Sequence, residues 1–316
     1  MNYKDIWLEE PKFEDVKSLI NYDKLVLMNS LSIEIDTTIL YNYFNNIEGR
    51  DRIILLEIDH TSQLEDVEII KAFPNLKHLR VYGDKIKTLK GLEWFKKGRF
   101  LDLYMSENKK RNIDNISKSS IRILGLRYQR KDDFDAISKC LTLKDLKIGS
   151  SPKPDFYTWS NVPLECLTLT SGKFNELGDM DCIKTLKKLD IRYCKKLERF
   201  TGDNNFVKDI LIVSCNKLDL SYLNVFKNVR KIQVNLCSQK LNLSELKLPK
   251  IRHLGLKCRV NIDNYDLKAN MPKLIEITLN KISKKQVRIL SEANLNIMVS
   301  NGYDYFLNGK LMTYDI

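Results

Sequence analysis

Three cysteines of this 316-residue chain, Cys194, Cys215 and Cys237, recur at steps of 21 and 22 residues. Stacked in one column they could in principle offer three thiolates to a metal ion. Structural zinc, however, draws its ligands from closely spaced pairs of the CxxC type, and none is present. The column therefore reads as a ladder of small buried side chains that satisfies a recurring turn, with no metal and no cofactor expected. The histidines close off most enzymatic chemistry. His78 and His253 each stand just before an apolar pair, eight copies of that pair apart, which is about 40 Å at roughly 4.8 Å per strand. His60 lies at the far end of the array from His253. Cys166 shares the column of His253 but four strands away, and Cys258 lies five residues further along the strand. A Cys–His nucleophile pair needs hydrogen-bond reach, which neither offers. No G-x-x-x-x-G-K-[ST], G-x-G-x-x-G, H-E-x-x-H or G-x-S-x-G string occurs, so the sequence points away from an enzyme.

The elements that would position any site are themselves periodic. Apolar pairs stand at Leu56/Ile58, Leu79/Val81, Leu101/Leu103, Leu124/Leu126, Leu146/Ile148 and Leu167/Leu169, and continue at Leu189/Ile191, Ile210/Ile212, Ile232/Val234, Leu254/Leu256 and Ile277/Leu279. Their spacing never leaves 21 to 23 residues. A further apolar residue stands three before most pairs, as at Leu76, Leu143, Leu164, Leu186, Ile251 and Leu274, giving L-x-x-L-x-L. A fixed period in this range marks a solenoid. The phrase resembles the leucine-rich repeat, over roughly residues 50 to 300. Asp84 to Leu92 is similar to the family's N-x-I-x-x-L-x-x-L continuation, with Asp84 where Asn is usual. Cys194, Cys215 and Cys237, followed by Leu197, Leu218 and Leu241, resemble cysteine-containing copies, whereas Ser106, Gln129, Ser151 and Arg259 fill that place elsewhere.

One strand plus a short return path cannot bury its own apolar pair, so neighbours must stack into a continuous core. The expected fold is an α/β solenoid, a leucine-rich repeat arc with a parallel sheet on its concave face, on the order of 50 Å long for about eleven strands. Residues 1–49 should form an N-terminal cap and first helical unit, 50–300 the solenoid and 301–316 a C-terminal hairpin cap, as one continuous domain. Phe13, Val16, Leu19 and Ile20 fall on one helical face after Pro11, and a first strand follows at Leu25 and Leu27. Leu40, Tyr43, Phe44 and Ile47 predict a true helix, with Asp36 or Thr37 as its cap and Gly49 at its exit. Ser62 with Glu65, and Ser283 with Gln286, have capping-box spacing. A strand at Leu295 and Ile297 precedes two strands joined by Asn308-Gly309, a type I′ hairpin signal.

No run of eighteen apolar residues and no basic-then-apolar leader occurs, and seven cysteines form no paired framework. These features favour a cytoplasmic location, no membrane association and a monomer. The exposed residues of each strand then carry function. His78, Arg80 and Tyr82, then Phe100, Asp102, Tyr104 and Met105, then Arg127 and Tyr128 make a dense aromatic and arginine patch, with Arg192 and Tyr193 in a later copy. Such residue types dominate binding hot spots, although exposed aromatics also simply favour strands. A second column, Lys77, Arg99, Arg122, Lys144, Lys187, Lys208, Arg230 and Arg252, is cationic, and the net charge is +12. A polyanion would neutralise it, but the exposed face interleaves Asp102, Asp145, Asp190 and Asp209, which disfavours nucleic acid. The expected function is a non-enzymatic protein-interaction module, for example an immunity or antitoxin-type binder, with an adaptor or regulatory subunit or a basic nucleic-acid binder as alternatives.

Overall fold

Residues 3–104, 112–127, 130–262, 267–279, 283–293, 298–300, 305–307 and 310–312 are described by a computed structural model. The chain divides into two compact units, Met1–Gly149 with Thr158–Leu164, and Ser150–Tyr157 with Glu165–Ile316. Both are built on the apolar pairs. All 22 pair residues are at most 3% exposed, because each side chain is covered by its counterparts on the neighbouring strands and by the return segments.

In the first unit seven strands pair in parallel and in chain order: β1 (Asp5–Glu9), β2 (Lys24–Met28), β3 (Leu55–Ile58), β4 (His78–Val81), β5 (Phe100–Leu103), β6 (Ile123–Leu126) and β7 (Asp145–Gly149). Their register aligns the pairs, so Leu79 lies between Leu56 and Leu101, and Val81 between Ile58 and Leu103. Return segments are mostly extended or single 3-10 turns, at Glu68–Ala72, Leu92–Trp94 and Asp114–Lys118. Two are α-helical, α1 (Thr37–Asn46) and α2 (Asp133–Ser138). The cap of α1 is Asp36, whose Oδ1 accepts from the Thr38 and Ile39 amides at 2.8 and 3.3 Å. The helix buries Leu40 and Phe44, the latter against Phe73 at 5.6 Å between ring centroids. Gly49 ends this element at φ 81°, and an added Cβ would come within 2.3 Å of Ile20 N. The segment 158–164 belongs here because Trp159 is fully buried, edge-on to Phe134, and donates Nε1–H to the Phe134 carbonyl at 3.2 Å.

Two readings of the N-terminal region are corrected. No α-helix spans Phe13 to Ile20. A 3-10 segment at Glu10–Asp15 breaks at Lys12 and gives way to extended backbone at Val16. Its start is pinned by the buried Glu10 carboxylate, which accepts from the Ser62 hydroxyl, the Gln63 amide at 3.2 Å and Asn29 Nδ2 at 3.4 Å. The same contact overrides the Ser62–Glu65 capping box. The Ser62 hydroxyl donates to Glu10, and the return segment that follows carries a 3-10 turn at Glu68–Ala72.

The second unit holds β8 (Cys166–Thr170), β9 (Glu176–Gly178), β10 (Lys188–Arg192), β11 (Arg199–Thr201), β12 (Asp209–Val213), β13 (Lys231–Asn242), β14 (His253–Asn261), β15 (Glu276–Leu279), β16 (Met298–Ser300), β17 (Tyr305–Leu307) and β18 (Lys310–Met312). The strands β8, β10 and β12 to β16 pair in parallel in chain order, and β9 and β11 form a separate two-stranded pair. Then β16, β17 and β18 run antiparallel. Asn308 and Gly309, and the strand expected at Leu295 and Ile297, lie outside the described residues. Helices α3 (Leu267–Asn270) and α4 (Lys284–Ala293) occupy return segments. Ser283 and Gln286 form the expected capping box of α4, the Gln286 Oε1 accepting from Ser283 N at 3.0 Å and the Gln286 amide donating to Ser283 Oγ at 3.2 Å.

Four residues of this unit, the one that follows β7 and three that follow its own strands, share one backbone device. Ser150, Ser171, Tyr193 and Ser214 are left-handed, with φ between 49 and 55°. Each donates its N–H to a carbonyl one repeat later, Thr170, Arg192, Val213 and Asn235 respectively, at 2.8 to 3.0 Å. The turn sends the next side chain inward, to the positions of Ser151, Cys194 and Cys215, which are fully buried.

Candidate functional site

Alternation along the first unit's strands sends one set of side chains inward and leaves the other on an open sheet face. Register then sorts the open set into columns. His78, Phe100, Ile123 and Asp145 form one; Glu57, Arg80, Asp102, Gly125 and Lys147 form the next. Tyr82, Tyr104 and Arg127 continue β4, β5 and β6 by one residue, their amides bonded to Ile58, Val81 and Leu103 carbonyls at 2.8 to 3.0 Å.

The third column is a stack. The Tyr82 and Tyr104 rings lie 4.7 Å apart at 22°, and the Arg127 guanidinium sits 5.6 Å from the Tyr104 centroid. Offset aromatic stacking and a cation over a ring face are each attractive through the ring quadrupole. The Tyr104 hydroxyl also bonds the Asp102 carboxylate, and burial raises both tyrosine pKa values above the usual 10. Burial pushes the Asp102 carboxyl up as well, with Arg80 and Lys147 opposing it. That carboxylate lies over Gly125, where an added Cβ would be 2.2 Å from Oδ1. Arg80 reaches Glu57 at 3.5 Å, as Lys24 does at 3.1 Å, but its buried Nε has no hydrogen-bond partner among the described residues.

The first column begins at His78. Its Nδ1 is 3.1 Å from the Tyr3 hydroxyl and its ring is 5.8 Å from Phe100. Burial, then the charges of Arg80, Lys77 and Arg99, lower its pKa below 6.5, so the ring is neutral at pH 7. Lys147 Nζ lies 5.9 Å from the Phe100 centroid. Beside the stack a cleft of about 440 Å³ is lined by Glu57, Asp59, His60, Tyr82, Asp84, Tyr104 and Arg127. Asp59 is held there by the Thr61 amide and hydroxyl at 3.0 and 2.9 Å, and its pKa is lowered: burial would raise it, but these two bonds and His60 prevail.

The first unit thus brings His78, Arg80, Tyr82, Phe100, Asp102, Tyr104 and Arg127 onto one face. Met105 and Tyr128 lie outside the described residues. Arg192 and Tyr193 belong to the second unit. Arg192 is engaged by Asp190 of its own strand in a two-point ion pair at 2.7 and 2.8 Å, and Tyr193 is left-handed and 48% exposed. Sequence reasoning missed Glu57, Asp59, His60 and Asp84 as cleft residues. Glu57 was legible, since it is the middle residue of Leu56-x-Ile58, the position that selects Arg80 and Asp102.

Cys194 and Cys215 are fully buried and Cys237 is 6% exposed. Their thiols face backbone groups: Cys194 Sγ accepts from the Gly172 amide at 3.3 Å and lies 3.5 Å from the Arg192 carbonyl. Cys215 and Cys237 donate to the Val213 and Asn235 carbonyls at 3.6 Å. Neighbouring Cys194 and burial raise the Cys215 pKa, and burial raises that of Cys237. Among the described residues no group of three or more His, Cys, Asp and Glu side chains is placed to hold a metal ion, and no helix is long and apolar enough to cross a membrane.

No protein-family profile matches the sequence, and no curated protein matches it. Solved structures do resemble it. A leucine-rich repeat protein of Leptospira interrogans is 15% identical with a TM-score of 0.38, over 91% of this chain and 94% of its own. An internalin of Listeria monocytogenes is 16% identical with a TM-score of 0.40, over 93% and 82%. The Drosophila Toll–Spatzle complex matches at 9% identity with a TM-score of 0.47, over 94% of this chain and 50% of that one.

Proposed function

We propose that this chain, an α/β solenoid with one buried apolar pair and one parallel strand in each 21 to 23-residue unit that resembles the leucine-rich repeat, is a non-enzymatic protein-interaction module. Its partner docks on the open sheet face of the first unit. The observation that supports this reading is the Tyr82–Tyr104–Arg127 stack, a preorganised aromatic and arginine surface beside a cleft. Tyrosine and arginine are enriched at hot spots because they present large contact area together with directional donors. The unpartnered Arg80 Nε adds a buried donor that a partner's acceptor would satisfy. His78, Phe100 and Asp102 complete the surface, Met105 and Tyr128 remain part of the proposed interface, and Arg192 and Tyr193 remain proposed partner contacts of the second unit by itself. A cytoplasmic immunity or antitoxin-type binder that occludes an effector is the role we favour over an adaptor or regulatory subunit.

The test is affinity capture from the native source, followed by titration of the captured protein against variants. Tyr104→Ala and Arg127→Ala should each weaken binding by about 2 kcal/mol, the level of a true hot spot. A captured protein indifferent to both substitutions, or retention of nucleic acid alone, would overturn the reading.

A further inference from the structure

Ten glycines are described, and at nine of them an added Cβ would approach another atom to 3.1 Å or less. At each of those nine a neighbouring atom would have to shift, and three of them, Gly49, Gly91 and Gly202, are also left-handed. Gly255 is the exception. It sits mid-strand in β14 outside the left-handed region, and its Cβ would meet nothing nearer than Gln233 Cγ at 3.6 Å, an ordinary contact. A strand-interior glycine weakens a sheet and marks places where a ligand or another backbone comes close. Here the fold itself supplies no reason for one.

Gly255 forms the floor of a cleft of about 590 Å³ on the open face of the second unit, with β13 and β15 as walls. Lys231, Gln233 and Asn235 rise from β13, Lys257 continues β14, and Glu276 stands on β15. The Glu276 carboxylate is already engaged, by His253 Nδ1 at 3.3 Å and the Thr278 hydroxyl at 3.3 Å. Neither Lys231 nor Lys257 forms an ion pair among the described residues. The unit's sequence holds 27 basic and 17 acidic residues, a net of +10, against 26 and 24 in the first unit.

From this we infer that the Gly255 cleft is a second binding site, which takes a carboxylate-bearing side chain of an acidic protein segment laid across β13 to β15. The glycine lets that side chain reach the sheet backbone. Lys231 and Lys257 neutralise its charge from opposite ends, and the Gln233 and Asn235 amides supply neutral donors. Two amides and two lysines suit an isolated carboxylate better than a continuous phosphate backbone, which would also meet Glu276. The site uses none of the first unit's patch residues and stands without that reading.

The experiment is fluorescence anisotropy with the full chain and a fluorescein-labelled peptide of alternating glutamate and serine. A lysine–serine peptide and a labelled uridine oligonucleotide serve as comparators. The glutamate peptide should bind saturably. Gly255→Leu, and Lys231→Gln combined with Lys257→Gln, should each weaken it by at least about tenfold, a hot-spot loss expressed as affinity. Gly255→Ala should leave Tm unchanged or higher, and Tyr104→Ala should leave peptide affinity unchanged, which separates this site from the first-unit patch. If Gly255→Leu fails to fold, the lysine pair carries the test. No glutamate-peptide binding, binding indifferent to these substitutions, tighter binding of the oligonucleotide at the same residues, or a lowered Tm in Gly255→Ala would each overturn the inference.

Discussion

Gly125 and Gly255 occupy the same position of their repeats, the middle of Leu124-x-Leu126 and of Leu254-x-Leu256, yet the same substitution should act on them with opposite sign. At Gly125 an added methyl lies 2.2 Å from Asp102 Oδ1, so the carboxylate must move by about an ångström, which disturbs the hydrogen bond it accepts from the Tyr104 hydroxyl. A hydrogen bond to a charged group contributes about 1.5–3 kcal/mol. Removing a glycine from a strand returns about 0.5–1 kcal/mol. Gly125→Ala should therefore lose about 0.5–2.5 kcal/mol net, the difference of those two effects. At Gly255 there is no clash, so Gly255→Ala should gain about 0.5–1 kcal/mol. Urea unfolding followed by circular dichroism reads both as shifts of the midpoint at constant slope. A double-mutant cycle isolates the cause: in an Asp102→Ala background the Gly125→Ala penalty should vanish, giving a coupling of about 1 kcal/mol or more. Shifts of the same sign at the two glycines, or a Gly125 penalty that survives Asp102→Ala, would refute the reasoning.

Two further outcomes follow from burial. Leu189→Ala, at a residue 1% exposed in register between Leu167 and Ile210, should lose about 2–5 kcal/mol through lost transfer and a residual cavity, whereas Ile275→Ala at a half-exposed position should change urea stability by under about 1 kcal/mol. Glu10 is fully buried, and burial outweighs its three hydrogen bonds to raise its pKa above 4.5. A carboxyl raised in the folded state binds its proton more tightly there, so its contribution is full below about pH 4.5 and is lost as pH rises through the folded value. Relative to Glu10→Gln, the unsubstituted chain should lose stability as pH rises from about 4.5 through the raised folded value; superimposable pH profiles would count against this account.

The repeat was legible because burial enforces it. A strand whose neighbours are one period away can hide its apolar pair only if the pair recurs at that period, and all eleven pairs obey. The caps at Asp36 and Ser283 were legible for a related reason, since both satisfy amides within three residues of themselves. What escaped depends on partners distant in sequence. The strand β1 has one well-buried apolar residue, Leu8, and is held by pairing to β2, so its own residues carry no period. Ser62 has the spacing of a cap but donates to Glu10, 52 residues earlier. The stacking of Tyr82 on Tyr104 could be read from register, whereas the anchoring of Arg80 by Glu57 needed coordinates. Gly255 escaped because a missing side chain is silent in any reading of which residue types crowd a face.

The left-handed residues at the strand ends bear on how such a chain can change length. In the second unit β10 and β12 each follow a residue whose amide is bonded one repeat back, Lys187 to Glu165 and Lys208 to Lys187, and each ends at a left-handed residue bonded one repeat onward, Tyr193 to Val213 and Ser214 to Asn235. With both ends fastened, an inserted or deleted residue within either strand would break one fastening, so length variation in these repeats must fall in the return segments. The face that β10 and β12 present is thereby held at a fixed pitch, its rungs interchangeable in geometry and free in chemistry. Duplicating one repeat in the gene would add a rung without re-aiming any other, so recognition can be lengthened or edited residue by residue while the scaffold stays the same.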